Sequence, residues 1–237
     1  MSDALAVTDK LGVGHNFRHT RRKKVCQVKT AEETRLFTIV VTTVMLLPSV
    51  VWAHHFMEDQ LPRTFAQGFL SGLAHPVIGV DHLAFIIATG FLLALVRHGV
   101  WGVIAFTSGS LLGAALHLTG FGLAGGELMV ALSVIVIGGV IVSGHRIALA
   151  WLAGGLILAG IIHGYAYAES IFGAESMPLS GYLIGFCSVQ LGIGVGALLL
   201  HRRLLTISAN RVRSISSALG TVVGVIGVVF LASNAIA

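Results

Sequence analysis

The run His75-Pro76-Val77-Ile78-Gly79-Val80-Asp81-His82 sets two imidazoles and a carboxylate inside a stretch that otherwise reads as lipid-soluble. Ionisable groups at membrane depth are costly and mark function by default. Imidazole with carboxylate is a ligand set for a divalent transition metal, and these ligand types suit nickel, cobalt, zinc and copper without choosing among them. On a straight helix the three groups cannot meet on one ion, because seven residues at about 1.5 Å each hold His75 and His82 about 10 Å apart. A break between them is therefore expected. Pro76 lacks an N–H and crowds the preceding turn, and Gly79 accepts backbone angles closed to other residues, so the segment can fold His75 back towards Asp81 and His82. The blander alternative is a polar cluster that hydrogen-bonds across helices.

The elements that position these groups follow from composition. A chain of 237 residues with 55% hydrophobic residues, 11% charged, 30 glycines and a mean hydropathy of +0.90 is too apolar for a water-soluble domain. The fold class expected is all-α, a polytopic transmembrane helix bundle. The sequence pI of about 9.7 would suit nucleic acid. Yet eight of the fifteen basic residues precede Leu36, so the basicity belongs to the tail and no nucleic-acid partner is expected. Cys26 and Cys187 form no C-x-x-C pair; they read as a free tail thiol and a small buried hydrophobe. Residues 1–53 read as a basic tail plus signal peptide: Arg21-Arg22-Lys23-Lys24, an apolar run from Leu36 to Val51, and small or aliphatic residues ending at Ala53. An uncleaved signal anchor or an early start codon is the alternative. Cleavage leaves 54–237 as a single transmembrane helical domain whose new terminus, His54-His55, lies outside the membrane. There, two imidazoles and a free amine offer metal capture, against a plain reading as solvated linker.

The apolar region 65–96 is about 32 residues long against the ~20 needed to cross, and it contains the broken motif. Further spans read as 100–120, 127–143, 147–168, 178–200 and 215–235, about six passages in all when 65–96 counts once. Charge supports that count. Arg97, His145-Arg146, and His201-Arg202-Arg203 with Arg211 and Arg213 fall in cytoplasmic turns, and Glu127, Glu169 and Glu175 in outer ones. Only Arg63 stands against the trend. The localisation implied is the bacterial cytoplasmic (inner) membrane. Gly68/Gly72, Gly109/Gly113, Gly160/Gly164, Gly181/Gly185, Gly192/Gly196 and Gly220/Gly224 have the small-xxx-small spacing of close helix packing, with homo-oligomer contacts as the lesser reading.

H-P-x-x-G-x-D-H followed by an apolar helix resembles the signature of the HupE/UreJ family, membrane proteins regarded as nickel or cobalt permeases associated with hydrogenase and urease gene sets. The resemblance covers most of the chain after about residue 54. It includes Ile162-His163-Gly164-Tyr165-Ala166-Tyr167-Ala168-Glu169, which resembles the family's second motif, F-H-G-x-A-x-G-x-E. Here Ile162 replaces Phe, Ala168 replaces Gly, and the acid falls six rather than seven residues after His163. The resemblance implies His75, Asp81 and His82 as metal ligands, with His163, Glu169, His54 and His55 as further candidates. Six residues do not return to one helix face, so Glu169 reaches His163 only if the helix ends first.

The function expected is therefore a permease for a divalent transition metal rather than an enzyme. Its partners are membrane lipid and the transported Ni2+ or Co2+, and no tightly bound cofactor is expected. His117 is a lesser candidate that alternatively bonds Thr119 or a nearby carbonyl. His98, His145 and His201 read as interface residues beside Arg, and Gln190 as interhelical glue or an oxygen donor on the path. No P-loop occurs, so energy would come from an ion gradient, the membrane potential or downhill flow. The alternatives are an intramembrane metalloprotein that retains its metal or haem, as a hydrolase or electron carrier, or a scaffolding membrane subunit.

Overall fold

Thr64 starts the first helix. Its hydroxyl accepts the Gln67 N–H at 3.2 Å while the Gln67 side-chain carbonyl accepts the Thr64 N–H, also at 3.2 Å. This reciprocal capping box satisfies two otherwise orphaned donors and opens α1, Phe65–Ile78. A single residue, Gly79, separates α1 from α2, Val80–Leu93, and the two axes are bent by 78°. The expected break is thus present, three residues after Pro76. Its chemistry differs from the expectation in one respect. Gly79 sits at φ −69°, ψ 98°, a region any residue adopts, but a Cβ there would stand 2.7 Å from Cδ2 of His82. The break uses the missing methyl to admit an imidazole, not an unusual backbone.

The remaining helices are α3, Val100–Leu118; α4, Gly126–Ser143; α5, Leu149–Glu169; α6, Ser176–Ile207; and α7, Ala209–Ile236. This computed structural model describes residues 61–145, 147–207 and 209–236; the expected signal segment, residues 1–53, and His54-His55 lie outside them. Among the described residues there is no strand. Five helices are long and apolar enough to cross a membrane, and the bent α1–α2 pair passes the same test when its two halves are taken together.

That pair crosses once. The start of α1 lies against the start of α6, since a Cβ at Gly181 would strike the carbonyl of Phe65 and one at Gly68 the carbonyl of Pro178. The end of α2 lies against the other end of α6, where Arg202 donates from Nε to the carbonyl of Ala94 (3.3 Å) and from Nη2 to that of Val96 (3.0 Å). Together α1 and α2 therefore run beside α6 from its acidic end, near Glu169 and Glu175, to its basic end. The stretch from His201 to Arg213, expected as a turn, is largely helical, and Arg202 lies in it. Its side chain caps the orphan carbonyls that end α2, where a cation is favoured. His201 joins it, with Nδ1 2.7 Å from the carbonyl of Phe91, its ring stacked on Phe91, and Nε2 3.2 Å from the Ser216 hydroxyl. At 1% exposure His201 is a buried cap and not the interface residue expected from sequence; His98 and His145 are exposed.

The glycine spacings resolve into tight helix pairs. Gly68 and Gly72 of α1 face Gly181 and Gly185 of α6; Gly109 and Gly113 of α3 face Gly160 and Gly164 of α5; Gly138 of α4 meets Gly220 and Gly224 of α7. Close backbone approach of this kind drives helix association in lipid. Gly192 and Gly196 are the exception, with open space where a Cβ would go. The half-span α2 sits in the middle of the bundle, and Phe85, Ile86, Ala88, Leu92 and Leu93 are buried in its core. Exposed Leu, Ile and Val cover the outside, with Trp101 and Trp151 both near the basic end as interfacial aromatics.

Candidate metal-binding site at the broken span

The bend brings two of the three expected groups together and leaves Asp81 outside the set. The rings of His75, in the last turn of α1, and His82, in the first turn of α2, have centroids 6.1 Å apart. With a metal–nitrogen bond of about 2.1 Å, two imidazoles on one ion have centroids no more than about 6.5 Å apart, so this pair is within reach of a shared ion. His82 is buried and His75 half-buried. Tyr167 packs against both rings, at 5.4 Å from His75 and 4.5 Å from His82.

A chain of hydrogen bonds sets the tautomer of His82. The Ser133 hydroxyl donates its one proton to the carbonyl of Val130 at 2.7 Å, so it accepts from Nε2–H of His163 at 2.8 Å. Nδ1 of His163 is then an acceptor, and it lies 2.8 Å from Nδ1 of His82, which must donate. A neutral His82 thus carries its lone pair on Nε2. This is the way outer partners orient a metal-binding histidine. His163 is wholly buried, both its nitrogens are engaged, and the Phe85 ring lies tilted against it with centroids 4.4 Å apart. His75 is held similarly: Nδ1 lies 3.2 Å from the Ser170 hydroxyl, which donates to the carbonyl of Tyr167 at 3.0 Å and stands 3.1 Å from the Tyr182 hydroxyl.

Asp81 is 3% exposed and accepts the His82 N–H at 2.8 Å, so its carboxylate caps the amino end of α2 inside the bundle. Its charge, with that of Glu169, also acts on Glu127 at the start of α4. Glu169 itself is exposed. Helix α5 continues unbroken from His163 through Glu169, so the acid does not turn back to the imidazole and belongs to the acidic end of the bundle. His117 also lies at that end, edge-on to Tyr165 and Phe172; Thr119 bonds the carbonyl of Leu116 instead of His117. Among the described residues no three His, Cys, Asp or Glu side chains stand close enough to hold one metal ion as they are placed.

A family profile described as HupE / UreJ protein matches residues 42–230. The chain belongs to the HupE/UreJ family. Among curated proteins, Protein HupE of Rhizobium leguminosarum bv. viciae is 29% identical over 171 residues, which cover 68% of this chain and 85% of that one. No solved structure matches. The HupE/UreJ family is associated with nickel and cobalt transport. Within this HupE/UreJ chain, sequence reasoning singled out the two histidines of the broken span and did not single out Ser133, Ser170 or Tyr182, which the fold places at imidazoles. Ser133 is an ordinary helix serine and Ser170 follows a helix end, and only the fold brings them to imidazoles.

Proposed function

We propose that this protein is a nickel or cobalt permease whose ion is carried through the imidazole pair of His75 and His82. The observation that carries the reading is the 78° break, which brings two histidine rings of one passage within 6.1 Å in the interior of the bundle. Broken helices place ligands and half-helix ends at membrane depth in many transporters. Glu169, exposed at the acidic end, and Asp81, buried deeper in the bundle, supply negative charge that attracts a dication. Asp81 offsets the ion's charge once it is bound, and His163 orients His82. The remaining coordination places go to water, hydroxyl or carbonyl oxygen. Mixed nitrogen and oxygen ligands suit transit, which needs binding firm enough for entry and weak enough for release. The positive-inside rule puts the basic end in the cytoplasm and the acidic end outside.

The test is accumulation of radioactive nickel and cobalt in cells lacking their own uptake systems, comparing wild type, His75→Ala and Asp81→Asn at matched membrane levels. Uptake by wild type and its loss in both variants supports the reading. Failure of wild type to move either ion overturns it.

A further inference from the structure

Both imidazoles of the broken span meet one face of α5. His163, Tyr167 and Ser170, the residue that ends the helix, stand at i, i+4 and i+7, positions that share one side of a helix. Nδ1 of His163 lies 2.8 Å from Nδ1 of His82, and the Ser170 hydroxyl lies 3.2 Å from Nδ1 of His75. Tyr167 stands between them, its ring against both imidazoles. His75 belongs to α1 and His82 to α2, so one helix reaches a ring nitrogen on each side of the break.

That face is fixed from behind. Gly160 and Gly164 let α3 approach so closely that a Cβ on either would strike a main-chain oxygen, of Phe106 or of Ser110. The carbonyl of Tyr167 lies in the last turn of α5, where helices leave acceptors without partners, and the nearby Ile171 N–H bonds Ala168 instead, at 3.2 Å. Two hydroxyls take its place: Tyr182 of α6 donates to the Tyr167 carbonyl at 2.7 Å and Ser170 at 3.0 Å.

A hydroxyl has one proton to donate. The bond from Ser170 to the carbonyl, at 3.0 Å, is shorter than its 3.2 Å contact with His75, so the proton goes to the carbonyl and the Ser170 oxygen accepts from Nδ1–H of His75. A neutral His75 then carries its lone pair on Nε2, the same nitrogen that His163 selects on His82. An outer partner of this kind sets the ring orientation of a metal-binding histidine as well as its tautomer.

We propose that Ser170 is the positioning residue of His75, and that the 163–167–170 face of α5 sets both imidazoles to present Nε2 to a single dication. The inference rests on the permease reading and deepens it by naming the binding atom of His75 and the residue that selects it. Rings ordered before the ion arrives give up less of the binding free energy to ordering.

Two measurements on the full-length protein in lipid test this. Nitrogen-15 NMR of the metal-free protein with labelled histidine, the His75 signals assigned by their loss in His75→Ala, is expected to show the proton on Nδ1; a proton on Nε2 overturns the proposal. In vesicles loaded with a nickel-sensitive dye, Ser170→Ala is expected to raise the half-saturating nickel concentration about tenfold with the maximal rate kept within about twofold. Ser170→Thr, which keeps the hydroxyl, restores the affinity. Ser180→Ala, which removes an exposed hydroxyl bonded to the Met177 carbonyl, changes neither value. Wild-type affinity in Ser170→Ala overturns the positioning role and leaves the permease reading intact, whereas no nickel entry through the wild type overturns both.

Discussion

Nδ1 of His82 and Nδ1 of His163 stand 2.8 Å apart, although 81 residues separate them in the chain. Because Ser133 fixes the proton on Nε2 of His163, the contact dictates which nitrogen of His82 carries a lone pair. Replacing His163 by Leu removes that control without touching either imidazole of the broken span. Nickel uptake at matched protein levels is expected to fall about 10- to 100-fold, the usual effect of losing an outer partner of a metal ligand. Ser133→Ala is expected to cost less, because His163 remains. Uptake unchanged in His163→Leu would show that the contact is only packing.

Gly79 leads to a different outcome from most interior glycines. Its backbone angles are open to alanine, but the added methyl would press on the His82 ring at 2.7 Å. Gly79→Ala is expected to melt close to wild type in detergent and yet lose about tenfold or more of its uptake, since the ligand is displaced. A variant that transports normally would contradict the stated reason for glycine at the break.

The α3–α5 contact sets a sharper limit on folding. A Cβ at Gly164 would fall on the carbonyl of Ser110, and one at Gly113 on that of Ile161, whereas Gly196 has open space. Gly164→Val is expected to lose at least about 1–3 kcal/mol, the cost of overpacking a tight contact, and with it much of the monodisperse protein in size-exclusion profiles. Gly196→Ala is expected to leave that profile unchanged.

Arg202 holds the end of α2 by two hydrogen bonds to main-chain oxygens. Arg202→Met removes charged donors from partly buried carbonyls and is expected to cost about 1.5–3 kcal/mol in detergent unfolding. Arg202→Lys should recover only part, because an ammonium cannot reproduce the planar fork that spans Ala94 and Val96.

Much of this was legible in the sequence, for reasons that differ by residue. His75, Pro76, Gly79, Asp81 and His82 are neighbours in the chain, so both the break and the approach of the two rings followed from helix geometry. The glycine spacings also found their partners, since small residues four apart mark one helix face. Gly192 and Gly196 have the same spacing and pack on nothing within the chain, because spacing gives a face but not what covers it. His201 read as an interface residue on account of its arginine neighbours, while the fold uses it 110 residues away on the carbonyl of Phe91. The contacts of Ser133 and Ser170 depend on which helices adjoin α1 and α5, and no local period encodes that.

The most direct measurement is nickel X-ray absorption on the purified protein loaded with one equivalent of nickel, for wild type, His75→Ala and His82→Ala. The expected spectrum has two imidazoles with oxygen in the remaining places and no sulfur, and each variant loses one imidazole. A wild-type spectrum without imidazole scattering, or one that both substitutions leave unchanged, would contradict the assignment of the ion to the broken span.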